Sequence, residues 1–221
     1  GSDTGFPYPA GNASYNGTRN KVYLNDQNGG FNPEPIWESA EEDISLSIAW
    51  GDADGDGDLD LAVGNYFTST KIYENNAGTL SQSATWTSPW GRFVYGLAWG
   101  DVDGDGDLDL AIAGGGDANL VFYNDGKPLP ENFKRFWDSK DRAQTIAVAW
   151  GDVDGDGDLD LAAGNYSSPS RVYINEDGEL QTDFQDEWSF GDFDSTRDID
   201  WGDIDGDGDL DLVTANGSGR S

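Results

Sequence analysis

Short apolar segments alternate along the whole chain with loops rich in Asp, Asn and Gly, and no stretch keeps the 3.6-residue period of an amphipathic helix. β-branched and aromatic residues dominate the apolar segments, which is typical of strands. The most regular segments end in Trp-Gly and lie at 47–51, 96–100, 147–151 and 198–202. The pattern therefore predicts an all-β protein built from a repeated unit.

Three further kinds of segment complete each unit. The second kind contains Leu-Asp-Leu and lies at 59–64, 108–114, 159–164 and 210–215. The third kind lies at 21–24, 71–74, 120–123 and 171–174. The fourth kind is marked by Trp37, Trp86, Trp137 and Trp188, which are 49, 51 and 51 residues apart. Four strands in about 50 residues make one propeller blade, so the period predicts a β-propeller of four-stranded antiparallel blades.

Alternation within the first segment predicts how blades pack. Ile48 and Trp50 point to one side of the strand, and Ser47 and Ala49 point to the other. We therefore expect the large face of one blade to pack on the small face of its neighbour.

The two ends of the chain carry complementary parts of one unit. The C-terminal part supplies the first and second segments (199–215), and the N-terminal part supplies the third and fourth (20–37). This gives four blade equivalents per chain, with one blade completed by joining N- and C-terminal segments. Either one chain closes a four-bladed ring, or two chains exchange strands and close an eight-bladed ring as a homodimer. An open piece of a longer repeat array is the third alternative, which is disfavoured because it leaves unpaired strand edges. Residues 1–11 are interpreted as a tag remnant and lead, and residues 12–221 as the propeller domain.

An acidic loop of the form D-x-D-G-D-G-D-L-D follows each Trp-Gly, at 52–60, 101–109, 152–160 and 203–211. Alternate carboxylates in a tight loop converge on one point, and Gly at position 6 permits the sharp turn. Position 7 is expected to offer its backbone carbonyl and position 9 a bidentate carboxylate. About six hard oxygen ligands suit Ca²⁺ better than Mg²⁺.

The predicted metal site residues are the five Asp of each loop: Asp52, Asp54, Asp56, Asp58, Asp60, Asp101, Asp103, Asp105, Asp107, Asp109, Asp152, Asp154, Asp156, Asp158, Asp160, Asp203, Asp205, Asp207, Asp209 and Asp211. An EF-hand is excluded because that loop needs Glu at position 12 and a following helix. Position 12 is Val63, Ile112, Ala163 and Thr214 in the four loops.

The run Trp-Gly-Asp-x-Asp-Gly-Asp-Gly-Asp-Leu-Asp-Leu resembles the FG-GAP/VCBS repeat, the blade of integrin α-subunit propellers and of many secreted bacterial proteins. The resemblance covers residues from about 12 to 215. It implies about four Ca²⁺ ions per chain, held by the Asp at positions 1, 3, 5 and 9 and by the carbonyl at position 7. It also implies an extracellular or cell-surface location and a role in binding or cell adhesion.

Composition narrows the function further. The net charge of −31 argues against a nucleic-acid partner and against adsorption to anionic membranes. The chain has no run of about 20 apolar residues, so membrane insertion is not expected. It lacks Cys, His and Met, which removes the usual ligands of zinc, copper, haem and iron–sulfur sites.

We expect any ligand on the face opposite the calcium loops. That face is predicted to collect Asn65, Tyr66, Trp90, Arg92, Phe93, Arg142, Asn165, Tyr166 and Arg197. Exposed aromatic rings beside Asn and Arg suit a protein or carbohydrate ligand, although the two Tyr also fit a packing role.

The sequence predicts a non-catalytic, calcium-stabilised binding or scaffold module. Lectin-like carbohydrate binding and a propeller polysaccharide lyase or hydrolase are the alternatives, but no acid–base pair stands out, because twenty of the 43 acidic residues lie in the loops.

Overall fold

The computed structural model describes residues 17–182, 189–190 and 195–217, and every regular element among them is a β-strand. The lead at 1–11 and Trp188 lie outside the described residues. The strands are β1 Lys21–Val22, β2 Trp37–Glu38, β3 Ser45–Gly51, β4 Asp60–Tyr73, β5 Asn75–Asn76, β6 Thr79–Leu80, β7 Trp86–Gly100, β8 Asp109–Gly114, β9 Leu120–Tyr123, β10 Arg135–Asp138, β11 Gln144–Gly151, β12 Asp160–Tyr166, β13 Ser170–Tyr173, β14 Asn175–Glu176, β15 Glu179–Leu180, β16 Ser189–Phe190, β17 Ser195–Gly202 and β18 Asp211–Gly217.

The strands form antiparallel blades with the predicted order of segments. β3, the two halves of β4 and the start of β7 form the first blade, which confirms its four strands. The rest of β7 continues into the second blade with β8, β9 and β10. β11, β12, β13 and β16 form the third blade. β4 and β7 are each one continuous run of strand residues that spans two predicted segments, and the left-handed Phe67 (φ 67°) lies at the turn between the two halves of β4.

The register is the same in every unit. The Trp of the first strand pairs with the Leu that follows the acidic loop: Trp50 with Leu61, Trp99 with Leu110, Trp150 with Leu161 and Trp201 with Leu212. Each pair of strands also has a bulge near its far end, for example between Ser45 and Ser47. The repeat in sequence is therefore a repeat in backbone geometry.

Glycine and tryptophan bring neighbouring blades into contact. The glycine that ends one first strand lies under the indole of the next blade, so that a Cβ on Gly51 would stand 2.7 Å from the ring of Trp99. The same contact joins Gly100 to Trp150 and Gly151 to Trp201. Large side chains thus pack on small ones between blades, as the alternation predicts.

A short hairpin, β1–β2, packs on the first blade and supplies the predicted third and fourth segments. The Trp37 ring meets the Tyr73 ring edge-on at 5.0 Å, and its indole N–H donates to the Ser81 carbonyl at 2.9 Å. Trp137 makes the equivalent contact with Tyr173, also at 5.0 Å. The hairpin therefore occupies the place of a preceding blade's outer half.

The split blade is present as two separate halves. Within the described residues β1 pairs only with β2, and β18 pairs only with β17. The part of the first unit that the hairpin does not cover and one face of the last unit keep exposed apolar side chains, for example Trp50 and Ile204. Among these residues no helix is long and apolar enough to cross a membrane.

Candidate metal centres

Each acidic loop is held by the strand pair that it connects. In the first unit Gly51 and Asp60 form the last pair of β3 and β4, so the eight residues between them must reverse the chain in little space. Gly55 and Gly57 take left-handed φ angles of 73° and 95°, which side chains with a Cβ rarely adopt. The same two glycines have positive φ in all four loops.

The fold brings three carboxylates together in every loop. Positions 1, 3 and 9 each offer an oxygen, and these oxygens lie within 4.8 Å of one another. The four groups are Asp52, Asp54 and Asp60; Asp101, Asp103 and Asp109; Asp152, Asp154 and Asp160; and Asp203, Asp205 and Asp211. Such triads of hard oxygens could hold a metal ion of the calcium type.

Backbone amides fix the carboxylate at position 1. Asp52 Oδ2 accepts the N–H of Gly57 at 3.0 Å, and Asp152 Oδ2 accepts that of Gly157 at the same distance. The equivalent bonds to Asp101 and Asp203 are 3.0 and 3.1 Å long. Position 1 is therefore the centre around which the loop wraps.

The carboxylate at position 9 is buried at the base of the loop. Asp60 accepts the amides of Ala53 at 2.8 Å and Asn75 at 2.7 Å, and Asp109 and Asp160 repeat both bonds. Burial raises the pKa of Asp60 to about 6, of Asp109 to about 7 and of Asp160 to about 6. A bound cation would favour the charged form that burial disfavours.

The second loop contains two carboxylate oxygens that make no hydrogen bond to any described residue. Asp101 Oδ1 and Asp103 Oδ1 are both buried and have no hydrogen-bond partner. A buried carboxylate oxygen without a partner is costly. Two such atoms in one triad fit a cation placed between them.

Positions 5 and 7 lie outside the triads. At position 5, Asp56 Oδ1 accepts the N–H of Asp58 at 2.9 Å. At position 7, Asp58 Oδ2 accepts the N–H of Ala77 at 2.7 Å and anchors the loop to the β5–β6 turn. The assignment of all twenty Asp residues as metal ligands, with the backbone carbonyl at position 7, stays a prediction.

Sequence reasoning missed an asparagine that links blades beneath the loops. Asn124 Nδ2 donates to the carbonyl of Ala53 in the preceding loop at 2.9 Å, and Asn175 Nδ2 donates to that of Val102 at 2.7 Å. The signal was present, because Asn follows every third segment at positions 25, 75, 124 and 175.

The sequence analysis also missed a positively charged side chain, Arg135, near the second acidic loop. Arg135 places Nη1 3.2 Å from Asp103 Oδ2, and its guanidinium stacks on the Tyr123 ring at 3.8 Å. Among the described residues, the salt bridges place an Arg or Lys on a loop carboxylate only here. The repeat pattern does not predict Arg135, because the equivalent residues two positions before Trp37 and Trp86 are Pro35 and Ala84.

At the strand ends opposite the acidic loops, the residues predicted to bind a ligand fall into two groups, one buried and one exposed. Asn65 and Asn165 are buried and hold the local turn, because their Nδ2 groups donate to the carbonyls of Ser69 and Pro169, both at 2.8 Å. They are structural residues. Trp90 is 43% exposed, and Phe67, which the sequence analysis did not select, is 62% exposed.

The remaining residues of this group contact one another or the backbone. Tyr66 meets Phe93 edge-on at 4.7 Å, and Arg197 lies 4.9 Å above the Tyr166 ring. Arg92 donates to the Ala118 carbonyl at 3.2 Å. Arg142 forms an exposed ion pair with Asp117.

Four repeated blades with acidic loops between their first two strands define a β-propeller with a recurring metal-type loop. The FG-GAP-like repeat model matches the chain four times, over residues 11–63, 54–112, 101–163 and 152–214. The chain therefore belongs to the FG-GAP-like repeat family. A comparison with curated protein sequences gave no match.

Two solved structures are similar to the chain. The crystal structure of BBS1N in complex with ARL6DN matches with a TM-score of 0.53 and 16% identity, over 83% of this chain and 52% of that one. The V. cholerae biofilm matrix protein Bap1 matches with a TM-score of 0.51 and 18% identity, over 90% of this chain and 34% of that one. At such identities the likeness shows the propeller fold alone, and the chain spans only part of either protein.

Proposed function

We propose that the chain is a calcium-binding propeller whose stability depends on calcium, and that it acts as a non-catalytic binding or scaffold module. The observation that carries the first part is the convergence of three carboxylates in all four loops. The raised pKa of the buried Asp at position 9 in the first three loops, caused by burial, supports it. Asp101 Oδ1 and Asp103 Oδ1, buried without a partner, add a second support.

Calorimetry on the calcium-free chain tests the metal. We expect titration with CaCl₂ to give about four ions per chain, and titration with MgCl₂ to give weaker binding, because Mg²⁺ dehydrates reluctantly and demands strict octahedral geometry. Absence of calcium binding at millimolar concentrations would refute the proposal.

The binding surface that we propose, called the aromatic patch, comprises two groups of rings, Tyr66 with Phe67 and Phe93, and Trp90 with Phe136. The rings of Phe67 and Phe93 are 4.2 Å apart, and Trp90 meets Phe136 edge-on at 5.1 Å. Phe67 keeps its ring outward at a left-handed φ of 67°, a conformation that costs free energy in a non-glycine residue. Exposed aromatic rings of this kind suit stacking on a sugar ring or on an apolar protein side chain.

The names of two structural neighbours support one part of the proposal each, Bap1 the location and BBS1N a protein ligand. Bap1 is a biofilm matrix protein, and BBS1N was crystallised with a protein partner. We therefore propose an extracellular or cell-surface location for this chain, with a carbohydrate or a protein as the ligand.

A glycan array probed in calcium separates the ligand classes. Binding that is lost in Phe67→Ser and in Trp90→Ser, and kept in Phe31→Ser, which alters an exposed aromatic residue between β1 and β2, would identify a carbohydrate ligand at the patch. No binding to any glycan would favour a protein ligand. Reproducible degradation of a polysaccharide by the chain would contradict the non-catalytic proposal.

A further inference from the structure

The contact between consecutive blades is built from the same atoms three times. The indole of the following blade covers the glycine that ends the preceding first strand, and its N–H donates to the carbonyl two residues before that glycine. The donor–acceptor distances are 3.4 Å for Trp99 to Ala49, 3.3 Å for Trp150 to Ala98 and 3.3 Å for Trp201 to Ala149. This repeated contact is called the blade joint below.

The C-terminal face of the chain presents one half of a further blade joint. A Cβ on Gly202 would meet nothing within 4 Å, whereas Gly51, Gly100 and Gly151 are each covered by an indole. Ile204 is 88% exposed, although the equivalent Ala53 and Val102 are buried. Val213 is likewise 62% exposed in β18.

The N-terminal face of the first blade presents the other half. Trp50 is 45% exposed and Ile48 is 61% exposed, because no blade precedes them among the described residues. Among the described residues, the side-chain Nδ2 of Asn75 donates only to the carbonyl of Leu59 in its own loop, at 3.0 Å. Asn124 and Asn175 donate in addition to the preceding blade.

We propose that a second copy of this chain closes both faces, with Trp50 of one copy on Gly202 of the other. The inference goes beyond the proposed function, since it does not depend on any ligand. The two faces are the two halves of an interface that already occurs three times within the chain, so no new kind of contact is needed. Two copies give eight blades, the upper end of the usual propeller range, whereas three would exceed it.

The same arrangement completes the split blade. The hairpin β1–β2 of one copy would extend the free edge of β18 in the other copy. The pairings of β12 with β13 and of β8 with β9 fix the register by equivalence: Leu212 opposite Tyr23, Val213 opposite Val22 and Thr214 opposite Lys21. Tyr23, which is exposed in the single chain, would take the place of the buried Tyr73 and Tyr173.

The fourth metal loop is incomplete without that hairpin. Asp60, Asp109 and Asp160 each accept two amides, one from their own loop and one from the Asn after the third strand. Among the described residues, Asp211 accepts only the amide of Ile204, at 3.0 Å. Asn25 of the second copy supplies the second amide in the proposed assembly, and it thereby orders the fourth site.

The mass of the chain in calcium tests the assembly. Light scattering or sedimentation is expected to give twice the chain mass of 23.8 kDa. Gly202→Leu fills an open position and leaves the chain's own contacts intact, so it is expected to weaken association about tenfold or more. Trp50→Ser should do the same, while Trp90→Ser, with similar exposure but on the aromatic patch, should leave the mass unchanged.

Mixing the two variants distinguishes exchange from closure within one chain. A mixed pair of Gly202→Leu and Trp50→Ser chains regains one unaltered joint, so dimer should reappear on mixing. Closure within one chain gives monomer in every sample and would overturn the proposal. A trimer or an open polymer would overturn it as well.

A disulfide test fixes the register. The chain has no Cys, so the double variant Lys21→Cys, Thr214→Cys can form only the disulfides under test. Paired residues of antiparallel strands lie within disulfide reach. Oxidation in calcium is expected to give covalent dimer on a denaturing gel. A disulfide within single chains, or no disulfide at all, would contradict the pairing.

Discussion

At the scale of single residues, the Asp at position 9 combines structural and chemical roles. Asp60, Asp109 and Asp160 are fully buried and hold the base of each loop through backbone amides. The same oxygens face the carboxylates of positions 1 and 3. A carboxylate has about four lone-pair sites, so amides and an ion can be bound together. The loop is therefore shaped in advance for a cation.

Position 3 offers the cleanest test of the triad. Asp154 belongs to the third triad, while Asp158 in the same loop points at the amide of Asp177. Asp154→Asn is expected to weaken one of about four calcium sites by about 10- to 100-fold, because a charged ligand is lost. Asp158→Asn should leave all sites within a few-fold. Calorimetric stoichiometry and affinity measure both, and equal effects of the two variants would contradict the assigned roles.

The pH dependence of the calcium-free protein follows from the buried carboxylates. Their pKa values of about 6 to 7 lie above the usual value near 4, so between these limits the native state binds more protons than the unfolded state. Stability must then fall as pH rises from about 4 to 7. We expect the Tm of chelator-dialysed protein to be higher at pH 5 than at pH 8. Saturating calcium should remove this trend, because the ion replaces the protons.

At the scale of the strand and blade, glycine is required where an indole covers the backbone. A Cβ on Gly100 would stand 2.6 Å from the Trp150 ring, which is closer than side chains approach without displacement. The two blades must separate or the indole must rotate, and either change removes contacts on both sides. The Trp-Gly dipeptide is therefore a packing device as well as the start of the metal loop.

Gly100→Ala is expected to destabilise the protein by about 1 to 3 kcal/mol through this overlap. The corresponding fall in Tm is about 3 to 10 °C for a chain of this size. Thr87→Ala, at an exposed position of β7, is the control and should change the stability by less than about 0.5 kcal/mol. Thermal unfolding in calcium measures both, and an unchanged Tm for Gly100→Ala would contradict the joint.

The elements show which parts of the structure a sequence can reveal. The period of Trp and Asp predicted the four segments of a blade, the loop between the first two strands and the large-on-small packing. The connections between blades were harder to predict, because β7 runs unbroken from Trp86 to Gly100 and so joins the fourth segment of one unit to the first segment of the next. The sequence also did not predict that Ile48 and Trp50 are exposed, because a repeat pattern does not show which unit lacks a neighbouring blade.

The candidate site was predictable to a similar extent. The spacing of Asp residues identified the loops, but the choice of positions 1, 3 and 9 depends on how the chain bends at Gly55 and Gly57. Arg135 and Phe67 had no repeated signal at all. Their positions depend on which blade they occupy, and only the folded chain shows it.

At the scale of the whole molecule, the net charge of −31 opposes compaction, and calcium bound at the four proposed sites would offset part of it. With a Kd of about 0.1 mM, millimolar calcium stabilises the native state by roughly 1.4 kcal/mol per site, or about 6 kcal/mol for four sites. We expect excess EGTA at neutral pH to lower the Tm by about 15 °C. Melting curves with and without chelator measure this, and curves that coincide would show that calcium has no such role.

The blade joint has a consequence for how such chains grow. Every unit carries a Trp for the blade before it and a Gly for the blade after it, so a tandem duplication of one unit inserts a blade together with both of its contacts. A chain with an added unit therefore needs no new kind of terminal blade. Blade number can then change during evolution by recombination between near-identical repeats, and accumulated curvature, rather than the chemistry of the contact, decides which lengths close into a ring.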